Sequence, residues 1–370
     1  MRKPEKPQNL WHRARGGLRL LLGLVCAVTQ ACGLSDPLVL STTEQSSANP
    51  GNGTGGGTGQ VPVPRQSPFC ALKWGRSWGG TNTEVQSSGA PAYPNNLGML
   101  SIWFGYEQDD KLNPAITKML NTLGPSGDPA LRGVVPVFYG YFIPFKAQNW
   151  DGVSKDCAPD STTPNVCTHG AVWIRDNRDK LRNVYASYAD QVAAAWGTTS
   201  PLIWLFEPSF NDYLRDSQSN PLSLAELSSV ATDLISQIKL RLPNALISHF
   251  ASPEIVDLEG YFSALDLTYV DLVNVSGAAQ NEYFGAGNST VNSAATYRRL
   301  HAASGRHLFV DTGFGASALS NIGWLAAGAD VINQRLADGV AAVQIDQAPS
   351  SMQSDIAALA PKLNVLDCGN

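Results

Sequence analysis

Short apolar runs alternate with amphipathic segments from residue 67 onward. Runs such as Leu202–Phe206 are apolar at every position, which is typical of strands buried on both faces of a parallel sheet. The pattern predicts eight strands, over Ala71–Trp78, Leu97–Tyr106, Gly133–Phe142, Leu202–Glu207, Ala245–Ser252, Leu272–Val275, His307–Asp311 and Ala341–Asp346.

Segments with helical periodicity lie between these runs. Residues Arg178–Trp196 carry apolar side chains at steps of three and four, and a later helix is predicted over Asn321–Leu336. A helix over Leu222–Leu242 opens with Ser223 and has Glu226 three residues on, the pattern of a capping box.

The alternation of strands and helices predicts an α/β protein. Eight strands with intervening helices over about 300 residues match a (β/α)8 TIM barrel, whose usual size is about 250 residues plus insertions. A doubly wound open sheet is the alternative. It ranks lower because the first strand-to-helix turn lacks a G-x-G-x-x-G phosphate loop.

The N-terminal segment has the pattern of an export signal. Basic residues precede an apolar run over residues 18–28 that is too short to span a bilayer. The small residues before Cys32 resemble a bacterial lipoprotein cleavage box, although Thr29 stands where Leu is usual. We therefore predict a signal over residues 1–32 and an exported protein, either secreted after cleavage at Ala31 or lipid-anchored in the bacterial envelope through Cys32.

A linker follows the signal. Residues 33–66 are rich in Gly, Ser, Thr and Pro and cannot bury enough apolar surface to offset the entropy of ordering them. The predicted organisation is thus a flexible tether followed by one barrel domain over residues 67–370.

Charge excludes some classes of partner. Charged residues make up 15% of the chain and the net charge is −5. Without the first 20 residues, 20 basic and 30 acidic side chains remain, a balance of −10. No basic surface for nucleic acid or anionic lipid is expected, so membrane contact is predicted only through the lipid.

Four cysteines remain beyond the signal. An even number in an exported chain predicts two disulfides, and three pairings are possible. We favour Cys157–Cys167, which would close a short loop, and Cys70–Cys368, which would join the ends of the domain. Neither pair has the short spacing of a structural zinc site.

Aromatic and polar residues gather at the predicted carboxyl ends of the strands, where a TIM barrel places its active site. Aromatic faces stack on the C–H surfaces of sugars, and Asp, Asn, Arg and His bind hydroxyl groups. The predicted substrate-binding residues are Trp74, Arg76, Trp103, Tyr139, Tyr141, Asn211, His249, Asn274 and Asp346. Several of these aromatic side chains could alternatively pack the rim alone.

Two acidic residues suit general acid and base chemistry. Glycoside hydrolysis requires two carboxyl groups that flank the scissile bond. Glu207 ends a very apolar strand, where burial is expected to raise its pKa and keep it protonated. Asp311 ends the seventh strand before a Gly-rich turn.

The surroundings of these residues resemble a known clan. Residues 204–208, with the sequence WLFEP, and residues 309–315, with the sequence FVDTGFG, are similar to the strand-four and strand-seven motifs of (β/α)8 retaining glycoside hydrolases. The resemblance implies that Glu207 is the acid/base and Asp311 the nucleophile.

Two positions depart from the clan. Phe206 replaces an Asn that would contact the sugar, and Asp311 replaces a Glu. The shorter Asp widens the carboxyl gap from the ~5–5.5 Å of retaining enzymes toward the ~6.5–9.5 Å of inverting ones. Asp311 is alternatively a sugar ligand, in which case the second carboxylate is one of Glu254, Asp346 and Glu107.

No sequence motif indicates a serine hydrolase or a metal-dependent enzyme. No G-x-S-x-G elbow lies on a strand-to-helix turn, and no clustered His and Asp pattern predicts a metal, so neither metal nor cofactor is expected. The predicted function is an exported glycoside hydrolase acting on a polysaccharide or oligosaccharide. The alternative is a non-catalytic carbohydrate-binding barrel on the cell surface.

Overall fold

Eight parallel strands form a closed barrel in the computed structural model, in the order β1 to β8. The structure describes residues 64–78, 97–155, 163–280, 295–312, 323–345 and 348–368. The strands are β1 (Lys73–Ser77), β2 (Met99–Phe104), β3 (Val135–Gly140), β4 (Leu202–Phe206), β5 (Ala245–Phe250), β6 (Leu272–Ser276), β7 (His307–Asp311) and β8 (Val340–Ile345). The (β/α)8 fold and all eight predicted strands are confirmed.

Helices surround this barrel. They are α1 (Pro114–Leu123), α2 (Phe142–Asp151), α3 (Val166–Trp196), α4 (Leu224–Arg241), α5 (Leu258–Ala264), α6 (Tyr297–Ser304), α7 (Ala329–Ala337) and α8 (Met352–Leu359). A short 3-10 helix over Phe210–Leu214 follows β4.

The predicted capping box of one helix is confirmed, whereas the extents of two other predicted helices differ in the structure. The capping box of Ser223 and Glu226 is present at the start of α4. Helix α3 begins at Val166, twelve residues before the predicted start, because the Asn165 side chain caps it. The predicted helix over Asn321–Leu336 is interrupted at Gly328, whose φ of 81° is left-handed.

Strand alternation divides the side chains into two sets. Outward-pointing aromatic residues pack beneath the helices: the Trp204 ring lies 4.6 Å from that of Phe104, and the Phe104 ring lies 5.0 Å from that of Phe142 in α2. These side chains are fully buried. They fix α2 against the strands β2 and β4.

The barrel interior contains polar contacts. Gln344 of β8 donates from Nε2 to Ser101 Oγ of β2 over 2.7 Å, and so passes over the intervening strand β1. Gly75 of β1 allows this passage, because a Cβ there would lie 2.4 Å from Gln344 Oε1.

The two ends of the domain are joined at the amino-terminal face of the barrel. Cys70 and Cys368 form the predicted disulfide, and Ser67 pairs with Cys368 in a parallel bridge. Cys167 is also disulfide-bonded. Cys157 lies outside the described residues, so its pairing with Cys167 stays a prediction.

The predicted signal and nearly all of the linker also lie outside the described residues, so the domain boundaries stay predictions. Among the residues that the structure describes, no helix combines the length and the apolar character needed to cross a membrane.

Candidate active site

The two predicted catalytic carboxyl groups lie at the same end of the barrel. Glu207 directly follows β4 and Asp311 is the last residue of β7. Each carboxyl group contacts the carboxyl end of β3 or the residues just beyond it. They therefore share the rim on which TIM barrels carry out their chemistry.

Glu207 is buried against the start of helix α2. Its Oε1 accepts hydrogen bonds from the backbone N–H groups of Phe142 and Ile143, at 2.8 and 3.0 Å, and from the Tyr185 hydroxyl. The Tyr141 side chain gives α2 no cap, so Glu207 satisfies the free N–H groups of this helix. Burial raises the pKa of Glu207 to about 8, although the three hydrogen bonds oppose the rise.

The backbone of Glu207 is strained. Its φ is 42°, in a region that residues with a Cβ rarely adopt, and Ser209 two positions later has φ of 71°. The Glu207 N–H donates to Gly140 O over 2.9 Å, which holds the strained residue against β3. Such strain persists only where the surroundings enforce it, and it is concentrated at functional sites.

Asp311 is held from across the barrel. The Tyr139 hydroxyl of β3 donates a hydrogen bond to Asp311 Oδ2 of β7. Tyr139 and Asp311 are 3% and 2% exposed, so this contact is shielded from water. The hydrogen bond fixes the direction of the Asp311 carboxylate.

A row of aromatic rings extends from Tyr139 along the rim. Trp103 stacks on Tyr139 at 5.1 Å between ring centroids, and Tyr141 meets Trp103 edge-on at 6.0 Å. Phe145 of α2 lies 5.7 Å from Tyr141, and Tyr106 lies 6.0 Å from Phe145. We call these five residues the aromatic row; all but Tyr139 are half-buried.

Two predicted amide ligands are buried near the carboxyl ends of β4 and β6. Asn211 is completely buried, and neither its Oδ1 nor its Nδ2 has a partner among the described residues. Asn274 is also buried, but its Nδ2 donates to Phe309 O over 3.1 Å. Of these two residues, it is Asn211 whose amide has no partner among the described residues and is left for a ligand to meet.

Three predicted ligands point away from the interior. Strand alternation places Trp74 and Arg76 on the helix-facing side of β1, opposite Gly75. His249 lies on the outer face of β5, where Nε2 is 2.9 Å from the Tyr261 hydroxyl of α5. Burial lowers the pKa of His249 to about 4. The structure does not bring these three side chains to the carboxylates; Asp346 lies outside the described residues.

The alternative second carboxylates have other partners. Glu254 forms an ion pair with Arg215, which also lies 2.9 Å from Asp212. Glu107 Oε2 accepts from the Gly105 N–H and from the Tyr188 hydroxyl, each at 2.9 Å. Burial raises the pKa of Glu107.

Sequence reasoning did not identify Tyr185 as part of the site. Tyr185 belongs to the apolar stripe of α3, and its hydroxyl reaches Glu207 beneath the rim. A buried tyrosine normally finds a hydrogen-bond partner, so its presence in an apolar stripe was the available signal.

Three cavities that are lined by described residues lie away from the two carboxylates. One of about 580 Å³ lies at the amino-terminal face and is lined by His301, His307 and Asp367, among others. Among the described residues no three His, Cys, Asp or Glu side chains converge to hold a metal ion. The two carboxylates lie instead at the carboxyl ends of the strands.

The fold is similar to that of several solved glycoside hydrolases. The GH26C protein from a Muricauda species aligns at a TM-score of 0.54 and 13% identity, over 80% of this chain and 88% of the other. A GH26 β-mannanase from Bacteroides ovatus aligns at 0.51 and 13%, over 80% and 91%. A double mutant of the endo-β-1,4-mannanase from Cellulomonas fimi aligns at 0.50 and 12%, over 78% and 70%.

The sequence matches no protein-family model and no curated protein. At these low identities the structural similarity establishes the barrel fold alone.

Proposed function

We propose that the protein is a glycoside hydrolase in which Glu207 is the general acid and Asp311 is the second carboxylate. The observation that carries the proposal is the pair of carboxyl groups at one rim, one buried at the end of β4 and one bonded to Tyr139 at the end of β7. Their environments differ, as acid and base roles require.

The reaction begins with proton transfer. Glu207, whose pKa of about 8 keeps it protonated at neutral pH, donates its proton to the glycosidic oxygen. The bond from that oxygen to the anomeric carbon breaks, and the leaving sugar departs as an alcohol while Glu207 becomes a carboxylate. Asp311 either attacks the anomeric carbon or takes a proton from the water that attacks it.

The substrate is a polysaccharide that lies along the aromatic row. The successive half-buried rings of the aromatic row offer stacking faces for several sugar units. The Asn211 amide, which has no partner among the described residues, suits a sugar hydroxyl. Two of the structurally similar proteins are named as mannanases, which makes β-mannan the first substrate to test.

We also propose that the protein is exported, lipid-anchored through Cys32 or secreted. The basic and apolar N-terminal segment supports export. So does the Cys70–Cys368 disulfide, because disulfides persist in oxidising compartments. Labelling of the expressed full chain with a fatty-acid analogue, compared with Cys32→Ser, tests the anchor.

The activity is tested by reducing-sugar release from mannan, glucan and xylan. Glu207→Gln is expected to reduce release from the preferred polysaccharide by at least about a hundredfold, and Asp311→Asn similarly. Glu107→Gln alters another buried glutamate that is bound by a tyrosine of α3, and it should retain release; a loss equal to that of Asp311→Asn would instead favour Glu107 as the second carboxylate. Binding without release by the wild type would instead indicate a carbohydrate-binding barrel, and full activity in Glu207→Gln would remove Glu207 as the acid.

A further inference from the structure

The two oxygens of the Glu207 carboxyl group have different surroundings. Oε1 accepts three hydrogen bonds, from the N–H groups of Phe142 and Ile143 and from the Tyr185 hydroxyl. Oε2 is buried and has no partner among the described residues. An oxygen that already accepts three donors is a poor place for a proton, so the acidic proton belongs on Oε2.

We propose that Tyr185 is a positioning residue for Glu207, which fixes Oε1 toward helix α2 and leaves the transferable proton on Oε2. This inference rests on the proposed function, because it assigns the oxygen from which Glu207 delivers its proton. In the transfer the Oε2–H bond breaks and a new O–H bond forms on the leaving oxygen, which keeps the electron pair of its broken bond to the anomeric carbon.

Packing holds Tyr185 firmly in place. The side chain is completely buried, and its ring lies 4.6 Å from that of Phe142 and 5.7 Å from that of Phe206. Its hydroxyl therefore approaches Glu207 from beneath the rim rather than from the side of the substrate. A group locked in this way can orient a strained neighbour without contacting the substrate.

The electrostatic surroundings of Glu207 are simple. Among the described residues, the titratable groups that interact with it are Tyr185 and Tyr213, the latter in the 3-10 helix after β4, and burial raises the pKa of both far above the ordinary value. Both hydroxyls therefore keep their protons over the working range of the enzyme. A hydrogen bond from Tyr185 stabilises the charged carboxylate and lowers the pKa of Glu207, against the effect of burial.

Helix α3 supplies a matched control. Tyr188 lies three residues beyond Tyr185, its ring lies 4.8 Å from that of Phe142, and its hydroxyl donates to Glu107 Oε2. Tyr188→Phe removes the same chemical group from the same helix and leaves the contacts of Glu207 intact. Loss of a buried hydroxyl as such is thereby separated from loss of the hydrogen bond to Glu207.

The pH profile of kcat/KM on the preferred polysaccharide tests the inference. Tyr185→Phe is expected to move the alkaline limb upward by about one pH unit, because the protonated acid persists to higher pH. It should also lower kcat several-fold with KM nearly unchanged, since Tyr185 does not face the substrate. Tyr188→Phe should leave the limb where the wild type has it.

Carbon-13 NMR titration of glutamate-labelled protein gives a readout that does not depend on activity. The Glu207 signal is assigned by its absence from Glu207→Gln, and its titration is compared between wild type and Tyr185→Phe. An unchanged Glu207 titration would overturn the positioning role, even if the enzyme were active. An upward shift in a protein that hydrolyses nothing would support the Tyr185–Glu207 coupling while overturning the proposed function.

Discussion

The Tyr139 hydroxyl donates a hydrogen bond to Asp311 Oδ2, and this contact joins β3 to β7 across the barrel. Gly140 separates Tyr139 from Tyr141, and helix α2 begins at the next residue with the two N–H groups that bind Glu207. One short segment, from the end of β3 to the start of α2, therefore holds both carboxyl groups. The relative position of the acid and its partner depends on this segment.

Removal of the Tyr139 hydroxyl should impair catalysis more than binding. Tyr139→Phe is expected to lower kcat on the order of tenfold with a small change in KM, because the Asp311 carboxylate loses the donor that orients it. Steady-state kinetics on the preferred polysaccharide measure both constants. Tyr261→Phe, which removes a buried hydroxyl bound to His249 on the outer face, is the control and should retain full kcat. Equal kinetics for the two variants would contradict the role of Tyr139.

The aromatic row should bind long substrates. Phe145→Ala is expected to raise KM for a polysaccharide several-fold, and much less for a disaccharide that occupies only the sites next to the carboxylates. Trp150→Ala is the control, because this half-buried ring packs on Trp173, away from the row. If Phe145→Ala raised KM equally for short and long substrates, the row would not be an extended binding surface.

A side chain at Gly75 should destabilise the barrel. Gly75→Ala places a Cβ 2.4 Å from Gln344 Oε1, so the hydrogen bond to Ser101 must shift and the free energy of unfolding falls by about 1–3 kcal/mol. Chemical denaturation measures this change. Gly323→Ala adds the same methyl group where no atom lies within 4 Å, and it should be at least as stable as the wild type. An equal loss in both variants would show that crowding against Gln344 is not the cause, because the entropic effect of Gly→Ala is by itself stabilising.

Stability should depend on pH in opposite directions through Glu207 and His249. The folded-state pKa of Glu207, about 8, lies above its ordinary value, so the unfolded chain ionises first and stability falls as pH rises from about 4.5 to 8. The pKa of His249, about 4, lies below its ordinary value. Its contribution is therefore present above pH 6.5 and is lost as pH falls toward 4.

Chemical denaturation across this pH range checks both effects. Glu207→Gln should lessen the fall on the alkaline side by at most about 1.4 kcal/mol per pH unit, and His249→Gln should lessen the fall on the acid side similarly. Each variant serves as the control for the other. If a variant changed the free energy of unfolding by the same amount at every pH, the titration of the replaced residue would not be the cause of the pH dependence.

Reduction of the disulfide should weaken the domain. Cys70 and Cys368 are 298 residues apart, so their bond constrains a very long loop in the unfolded chain and contributes up to about 5 kcal/mol. The double substitution Cys70→Ser and Cys368→Ser should lower the Tm with activity retained at low temperature. Comparison with the reduced wild type separates this bond from that of Cys167, which is also reduced in the latter.

The strands could be predicted from the sequence because they are buried on both faces. For the same reason, the sequence did not show which of their side chains face the barrel interior. A run such as Leu202–Phe206 is apolar at every position, so alternation gives no sign of which side chains face the interior. His249 was thus predicted at the rim, whereas it is Ser248 that faces the interior and His249 that faces Tyr261 of α5.

The two carboxylates could be predicted from the sequence, but the groups that hydrogen-bond to them could not. Glu207 and Asp311 follow recognisable strands, so their chemistry could be inferred from position. The contact of Glu207 with the start of α2 depends on a tertiary approach between residues about 65 apart in the chain. No local pattern encodes such an approach, and Tyr185 in its apolar stripe indicated only that some buried acceptor existed.

The closure of the domain at Cys70 and Cys368 also fixes the face of the barrel at which the chain enters. Arg65 donates its N–H to Gly305 O, just before the first residues of β7, so the chain enters at the end of the barrel opposite Glu207 and Asp311. Any attachment upstream of residue 64 therefore acts on the amino-terminal face of the barrel. The point at which the upstream chain joins the barrel is therefore separated from the proposed substrate face by the full height of the strands.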